Sequence, residues 1–342
     1  MALDLQMYLA AIENELMVAL APQDPTMRPL YQMMQYHMGW LDEHFEPVST
    51  YRGKRLRPLI CLLTCAASGG DWQRALPAAA SIELVHNFTL IHDDIEDNGD
   101  TRRHRPTLWR VWGLAQGVNT GDAMWAIART HIYRLLDNGY EPKQVLNIAR
   151  RLDEASVALC RGQYLDLAFE QREHVSLAEY ERMIAGKTAA LLSASAAIGA
   201  TLGKVSEAIT LHYANFGHEL GLAFQMVDDI LGIWGDPQVT GKPNASDIRE
   251  HKKTLPILHA LERERAQGDD ALAKRLARRE LDDADVNEAL ILLERLGARE
   301  YAQRRAQKHY HRALQHLAAT ARSGPAQDAL SELANSLVER TF

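Results

Sequence analysis

Carboxylates gathered at the ends of two apolar stretches are the residues best suited to do chemistry in this chain. The first set, Asp93, Asp94 and Asp97, follows the apolar run LVHNFTLIH. The second set, Asp228 and Asp229, follows LGLAFQMV. Like charges at this density repel, and burial beside apolar side chains raises that cost unless a cation is present. We therefore expect each set to bind divalent metal ions.

The ligand type and the spacing indicate which metal and how it is held. Oxygen-only ligands favour Mg²⁺ or Mn²⁺ over zinc. Asp93 and Asp97 are four residues apart, so on a helix they share one face, while Asp94 lies about 100° further round, nearer a second ion. Two such clusters, each ending an apolar helix, predict the facing walls of one pocket.

Basic residues near both clusters are the expected partners of an anionic substrate. Lys54 and Arg57 stand at a predicted helix start, where backbone N–H groups also attract anions. Arg102 and Arg103 follow the first cluster in a predicted loop, and Lys187 interrupts an apolar helix. Metal sites, cations and apolar helices together predict a diphosphate with a hydrocarbon tail, whose departing diphosphate leaves a carbocation.

Helices are expected to position all of these residues. The chain has 342 residues with only 21 Gly and 12 Pro, and alternating strand patterns are nearly absent. We predict an all-α fold class in which residues 1–342 form a single large helical bundle around a deep apolar cavity. The predicted helices are 3–20, 27–44, 59–67, 74–97, 109–136 (interrupted near Gly117 to Gly121), 141–170, 176–202, 205–234, 254–266, 269–279, 283–321 and a last one through Leu330 and Val338.

Composition narrows the class of protein and its setting. A net charge of −7 disfavours a general nucleic-acid binder, and 46% hydrophobic residues exclude disorder. Three cysteines without zinc-type spacing fit a reducing compartment. The acidic N-terminal region is unlike a secretory signal, and we find no uninterrupted apolar run of about 18 residues. We predict a cytoplasmic protein without a transmembrane segment.

The motifs and their order resemble the trans-isoprenyl diphosphate synthases of the polyprenyl synthetase family. They are GKRLRP (53–58), DDIEDNGDTRR (93–103), GQ (162–163), KT (187–188) and FQMVDD (224–229). The resemblance covers residues 50–260 by motif and the whole chain by length, and it is strongest with the short-chain geranylgeranyl and farnesyl diphosphate synthases. It implies an isoprenoid-synthase fold and a homodimer that condenses isopentenyl diphosphate head-to-tail with an allylic diphosphate.

The resemblance also implies a role for each motif residue. The diphosphate of isopentenyl diphosphate would be bound by Lys54, Arg57, His86 and Arg103. The allylic diphosphate would be held by Arg102, Lys187, Thr188, Gln225, Lys242 and Lys252. The metal ligands would be Asp93, Asp94, Asp97, Asp228 and Asp229. The catalytic residues would be these five aspartates and Lys187. Three Mg²⁺ ions per site are expected, with Mn²⁺ able to replace them.

Two positions depart from the family pattern, and two others bear on the product. Gly232 stands where the second motif often ends in Asp, and His104 stands where Gly commonly follows the two arginines. Phe88 and Thr89, one turn before the first cluster, would form the floor that limits chain length. One bulky residue beside a small one predicts a C20 product first and a C15 product second.

Three other functions remain open from the residues alone. A metal phosphohydrolase using His92 and Asp93 needs further His ligands, and the second cluster is all carboxylate. A terpene cyclase or head-to-head condensing enzyme shares the metal chemistry but does not need an isopentenyl diphosphate site. An inactive regulatory subunit would be expected to lose Asp residues, whereas this chain keeps both pairs.

Overall fold

The chain is helical throughout almost all of the part that the computed structural model describes, residues 3–22, 24–48, 50, 53–236, 245–278 and 280–339. Within these ranges the only regular strands are two of two residues each, Thr101–Arg102 (β1) and Arg105–Pro106 (β2). The all-α prediction is confirmed. Lys242, predicted to hold the allylic diphosphate, lies outside the described residues.

The helices follow the predicted order, and a π turn, Ala185–Ala189, separates α8 from α9. In chain order they are α1 Leu5–Ala19, α2 Arg28–His37, α3 Leu56–Ala67, α4 Leu76–Glu96, α5 Leu108–Trp112, α6 Leu114–His131, α7 Pro142–Glu170, α8 Leu177–Ile184, α9 Ala190–Leu202, α10 Glu207–Trp234, α11 Ser246–Arg249, α12 Leu255–Ala266, α13 Ala271–Leu276, α14 Asp283–Arg295, α15 Ala298–Ala319 and α16 Pro325–Val338.

Helices α3 and α4 are core helices on nearly all sides. In α3 every residue from Pro58 to Cys65 is buried, and in α4 every residue from Pro77 to Val85 is buried. A helix that is apolar all round cannot rotate to expose one face, so its neighbours fix its position. The last turn of α4 contains Asp93 and Asp94 of the first acidic set, and burial of the helix therefore fixes where they lie.

The predicted interruption at Gly117 to Gly121 is wrong. Helix α6 runs through both glycines, and the break comes earlier, at Gly113, whose φ is +85°. A Cβ atom on Gly117 would lie 2.8 Å from Ile95, and one on Gly121 would lie 2.3 Å from the His92 ring on α4. These glycines therefore allow α6 to pack closely against α4 rather than ending a helix. The prediction of one helix over 283–321 is also wrong, because the chain forms two helices there, α14 and α15.

The chain falls into two compact units. In the second unit one core cluster packs Tyr180 and Met183 of α8 with Ala223 and Met226 of α10. The prediction that residues 1–342 form one domain stays a prediction. Unit 1 comprises Met1–Glu154, Ala194–Leu211 and Arg322–Leu330, and unit 2 comprises Ala155–Ser193, His212–Ala321 and Ser331–Phe342.

One helical stretch, Leu177–Leu202, is long and apolar enough to cross a membrane by length and composition. Of its most apolar window, 72% is buried inside the protein. A core helix of a globular protein passes the same test, so the stretch is weak evidence for a membrane span.

Candidate active site

The first acidic cluster (Asp93, Asp94 and Asp97) lies at the end of α4 in unit 1. Asp94 is buried, with 5% of its surface exposed, whereas Asp97 is exposed. The Oδ1 atom of Asp94 accepts a 2.7 Å hydrogen bond from Nε of Arg102. Burial raises the pKa of Asp94 to about 6, although the Arg102 charge acts in the opposite direction. Arg102 therefore compensates only part of the cost of burying this carboxylate.

The donor atoms of this cluster fit a hard divalent cation. The other carboxylate oxygen of Asp94, Oδ2, is buried and has no hydrogen-bond partner in the described part of the chain. An unmatched buried oxygen is costly, and carboxylate oxygen is the ligand that Mg²⁺ prefers. In the same ranges no three His, Cys, Asp or Glu side chains form a ready metal site. Mg²⁺ commonly takes only one or two carboxylates and completes its shell with water and substrate phosphates.

Arg102 is the last residue of β1, and the chain reverses direction directly after it. Strands β1 and β2 pair antiparallel with Arg102 opposite Arg105, which leaves Arg103 and His104 as a two-residue turn. Both have positive φ, 52° and 62°, the pattern of a type I′ turn. His104 thus adopts the left-handed conformation that Gly accepts without strain, at a cost of about 1 kcal/mol.

Positive charge collects around His86 in unit 1. Its Nε2 atom lies 3.2 Å from Nη1 of Arg57. Burial lowers the pKa of His86 well below its usual value, and the nearby charges of Arg57, Arg103 and Arg102 lower it further. The imidazole is therefore neutral near pH 7 in a positive environment, which suits an anionic ligand. Lys54 is exposed to solvent.

The GKRLRP segment contains structural residues beside the predicted binding residues. Gly53 has a φ of +84°, and a Cβ atom there would lie 3.1 Å from Nη2 of Arg103. Arg55, which the motif analysis did not single out, is 4% exposed. Its guanidinium donates to Glu13 at 2.6 Å and to Glu83 at 2.9 Å. Arg55 therefore joins the start of α3 to α1 and α4. The sequence contained one sign of this pairing, because Glu83 is an acidic residue within the otherwise apolar α4.

The second acidic cluster (Asp228 and Asp229) divides into one exposed and one buried carboxylate on α10. Asp228 is exposed, whereas Asp229 is 4% exposed. Asp229 accepts hydrogen bonds from the Tyr180 hydroxyl at 2.5 Å, the Leu255 backbone N–H at 2.9 Å and the Gln225 amide at 3.0 Å. Burial raises the pKa of Asp229 to about 7 despite these donors. Neutral donors, rather than a cation, hold this carboxylate in place.

Lys187 and Thr188 lie in the π turn between α8 and α9. The Nζ atom of Lys187 donates to Asp166 at 2.5 Å, and the Thr188 hydroxyl donates to Oε1 of Gln225 at 2.7 Å. A Cβ atom on Gly162 would lie 2.1 Å from the Lys187 backbone nitrogen, so only glycine permits this approach of α7. Single π turns often occur at functional sites. The structure thus connects Thr188 through Gln225 to the second acidic cluster.

Three further residues complete the account of unit 2. Lys252 is part-exposed, and its Nζ lies 2.9 Å from Oε2 of Glu250. Tyr180 and Asp166 were missed by the sequence analysis. Asp166 could have been found from the sequence, because it lies four residues after Gly162 of the GQ motif and so shares a face of α7 with it. No sequence pattern indicated Tyr180, since its partner Asp229 is distant in sequence.

The two predicted floor residues lie on the apolar part of α4. Phe88 is 9% exposed, and its ring centroid lies 5.8 Å from that of His92 and 6.5 Å from that of Trp125, both edge-on. The Thr89 hydroxyl donates to the His86 carbonyl at 2.7 Å. Phe88 therefore belongs to an aromatic group, and its role in chain length stays a prediction.

Residues 38–293 match the family model described as polyprenyl synthetase. A (2E,6E)-farnesyl diphosphate synthase of Mycobacterium tuberculosis is 40% identical over 325 residues, covering 93% of this chain and 87% of the relative. A geranylgeranyl diphosphate synthase of the same organism is also 40% identical, over 305 residues, with 89% and 86% covered.

Solved structures agree with the family match. A polyprenyl synthetase from Streptomyces coelicolor is 35% identical with a TM-score of 0.88, covering 96% of this chain and 97% of that one. A geranylgeranyl pyrophosphate synthase from Corynebacterium glutamicum, solved with isoprenyl diphosphate and magnesium, is 26% identical with a TM-score of 0.85 and covers 99% of this chain and 100% of its own.

We expect the stability of the metal-free protein to depend on ionisation of Asp229. Its folded pKa of about 7 lies above its usual value of 3.8. A raised pKa contributes stability that is complete below about pH 4 and is lost as the pH rises through 7, by about 4 kcal/mol for a shift of about three units. Asp229→Asn, which cannot ionise, should therefore gain stability relative to the wild type between pH 4 and 8.

Urea unfolding with a chelator at several pH values measures this difference. Asp228→Asn is the matched control, because it makes the same change in the neighbouring residue, whose side chain is exposed rather than buried. A difference between Asp229→Asn and the wild type that stays constant across the range would contradict the assignment.

Proposed function

Because the chain belongs to the polyprenyl synthetase family and is a trans-prenyltransferase of the short-chain type, we propose that it joins isopentenyl diphosphate head-to-tail to an allylic diphosphate, with all-trans C20 geranylgeranyl diphosphate as the main product. The observation that carries this proposal is the buried Asp94, paired with Arg102 at the end of an apolar helix. At this place the unmatched oxygen of Asp94 can bind a cation, Arg102 can bind a phosphate, and the apolar side chains of α4 can contact a hydrocarbon tail.

Lys54, Arg57, His86 and Arg103 are proposed to bind the diphosphate of isopentenyl diphosphate. The support is the positive environment of His86, in which Arg57 is within hydrogen-bond distance and Arg103 lies near. Arginine forks bind pairs of phosphate oxygens, and Lys54 would add a mobile point charge. A neutral His86 orients Arg57 without adding to the local repulsion.

The allylic diphosphate is proposed to be bound by a set of side chains of which two are held by hydrogen bonds within the protein. Lys187 is held by Asp166, and Thr188 is held by Gln225, so neither has to be ordered when the substrate arrives. For Lys242 the support is the motif alone. The full set is Arg102, Lys187, Thr188, Gln225, Lys242 and Lys252.

Both acidic clusters are proposed to hold Mg²⁺, three ions per active site, with Mn²⁺ able to replace them. The support is the carboxylate-only donor set, the unmatched Oδ2 of Asp94 and a related structure that contains magnesium. These carboxylates would hold Mg²⁺, which would neutralise the charge that develops on the departing diphosphate. The lysine and arginine side chains keep that diphosphate in place, so that it can accept the proton that ends the condensation. The ligands are Asp93, Asp94, Asp97, Asp228 and Asp229.

The proposed C20 product depends on Phe88 and Thr89. Relatives named for C15 and for C20 products are equally identical to this chain, so similarity does not choose between them. Phe88 is a bulky ring packed near two other rings, which would block a growing chain, whereas Thr89 is small. The second candidate is a C15 farnesyl diphosphate synthase.

We also propose a cytoplasmic homodimer. Helix α6 exposes Leu114, Val118 and Trp125, three apolar side chains at helical spacing, which a second copy would cover. Cys61 and Cys65 are unpaired and buried, and burial raises the pKa of Cys65 to about 12. Inert thiols of this kind fit a reducing compartment.

The purified protein should release pyrophosphate only when Mg²⁺, isopentenyl diphosphate and an allylic diphosphate are all present. With labelled isopentenyl diphosphate and farnesyl diphosphate, the main product should be C20. Release from the allylic diphosphate alone would instead favour a cyclase. A product that stops at C15, or that runs beyond C25, would reject the C20 assignment.

Phe88→Ala should lengthen the product, because removing the ring opens space one turn before the first acidic cluster. Chain-length analysis of the products measures this directly. Phe169→Ala, which removes a buried ring in unit 2, is the control for a general loss of packing. An unchanged product from Phe88→Ala would remove Phe88 from the floor.

The double variant Leu114→Glu and Val118→Glu should convert the dimer to a monomer, because it places two charges on the proposed interface. Light scattering after gel filtration measures the mass. Ile291→Glu changes an exposed apolar residue on α14 and should leave the dimer intact. A wild type that is monomeric, or a double variant that remains dimeric, would reject this face.

A further inference from the structure

The last turn of α2 is bound to the β1–β2 hairpin, which carries Arg102 and Arg103. The Tyr36 hydroxyl donates to the Pro106 carbonyl at 2.7 Å, and the guanidinium of Arg105 donates to the Tyr36 carbonyl at 3.2 Å. The Cζ atom of Arg105 also lies 4.1 Å from the centre of the Tyr36 ring. An arginine that binds the last carbonyls of a helix stabilises that helix end. The end of α2 is therefore fixed relative to the hairpin.

His37, the last residue of α2, lies near the arginines of the hairpin. Burial lowers the pKa of His37 well below its usual value, and the charges of Arg103 and then Arg102 lower it further. The side chain of Asn87, the residue after His86 on α4, acts in the opposite direction. The imidazole of His37 is therefore neutral near pH 7, as that of His86 is.

Two buried polar atoms in this region have no hydrogen-bond partner within the ranges that the structure describes. They are Nε2 of His37 and Oδ1 of Asn87. The Asn87 amide nitrogen is already engaged, because it donates to the Glu83 backbone carbonyl at 2.8 Å and to the Glu83 carboxylate at 3.0 Å. Unmatched buried polar atoms are uncommon because each one is costly, so we expect these two to serve a ligand or a neighbouring side chain.

A cavity of about 20 Å³ lies beside His37. Its lining also includes Asp94, Arg102 and Arg103, so it joins the end of α2 to the end of α4 and to the hairpin. A cavity of this size admits one water molecule. His37 therefore shares a polar space with Arg103, which is proposed to bind the diphosphate of isopentenyl diphosphate.

We propose that His37 is a positioning residue for isopentenyl diphosphate, acting through Arg103. This rests on the proposed function, because it concerns the same substrate site. Gly53 leaves room for the Arg103 guanidinium, and His37 supplies a polar neighbour that adds no positive charge. The choice of isopentenyl over allylic diphosphate follows from Arg103, whose charge acts on His37 more strongly than that of Arg102, and from Asn87, the neighbour of His86.

The two Michaelis constants test this proposal. His37→Leu should raise the KM for isopentenyl diphosphate about 10-fold, the effect of losing one hydrogen bond, while kcat and the KM for farnesyl diphosphate change less than about threefold. His37→Gln keeps a neutral donor and acceptor and should stay within about threefold of the wild type. Met34→Ala removes a buried apolar side chain one turn earlier on α2 and should leave the ratio of the two KM values unchanged.

Coupling to Arg103 is the stricter test. In an Arg103→Lys background, His37→Leu should change the KM for isopentenyl diphosphate less than about twofold, because the guanidinium that His37 positions is already gone. Titration calorimetry with isopentenyl diphosphate and a chelator measures the same effects on binding without turnover. Circular dichroism checks that each variant is folded, and His37→Ala gives the answer if His37→Leu does not fold.

The outcomes separate this inference from the proposed function. Unchanged affinity for isopentenyl diphosphate in His37→Leu, an equal rise in both KM values, or an undiminished effect in the Arg103→Lys background would overturn the role of His37 while leaving the prenyltransferase reaction intact. A His37→Gln variant no better than His37→Leu, or a selective rise in Met34→Ala, would overturn it as well. Absence of condensation by the wild-type protein would count against the proposed function instead.

Discussion

Burial of carboxylates at the ends of apolar helices is the constraint on which both candidate site regions depend. Asp94 and Asp229 are almost fully buried, and burial raises their pKa values to about 6 and about 7. A carboxylate in this setting is stable only if it is protonated or if positive charge arrives. In the proposed function bound divalent metal ions would provide that charge, so the same burial that weakens the metal-free protein prepares it to bind cations.

The two buried carboxylates are compensated in different ways. Asp94 has a charged partner, Arg102 of β1, and keeps one buried oxygen without a partner in the described residues. Asp229 is surrounded by neutral donors from Tyr180, Leu255 and Gln225. A neutral donor fixes a carboxylate without cancelling its charge, so Asp229 keeps its attraction for a cation once it ionises.

Glycine acts here mainly by permitting close approach. Gly162 lets α7 approach the backbone of Lys187, Gly121 lets α6 approach His92, and Gly232 leaves room for Asp247. Sequence patterns treat glycine as a helix breaker, which is why the interruption predicted near Gly121 was wrong. Whether a glycine ends a helix or admits a neighbour depends on what lies across from it, and local sequence does not contain that information.

The sequence by itself determined the helical class, most helix bounds and the chemical identity of the candidate residues. It could do so because a spacing of three or four residues places side chains on one helix face, whatever the rest of the fold does. Only the tertiary structure decided which carboxylates are buried and what compensates them. Tyr180 and Asp229 are 49 residues apart, and Arg55 and Glu13 are 42 apart. Burial and partnership at such separations are set by how helices pack, and packing is a property of the whole chain rather than of any motif.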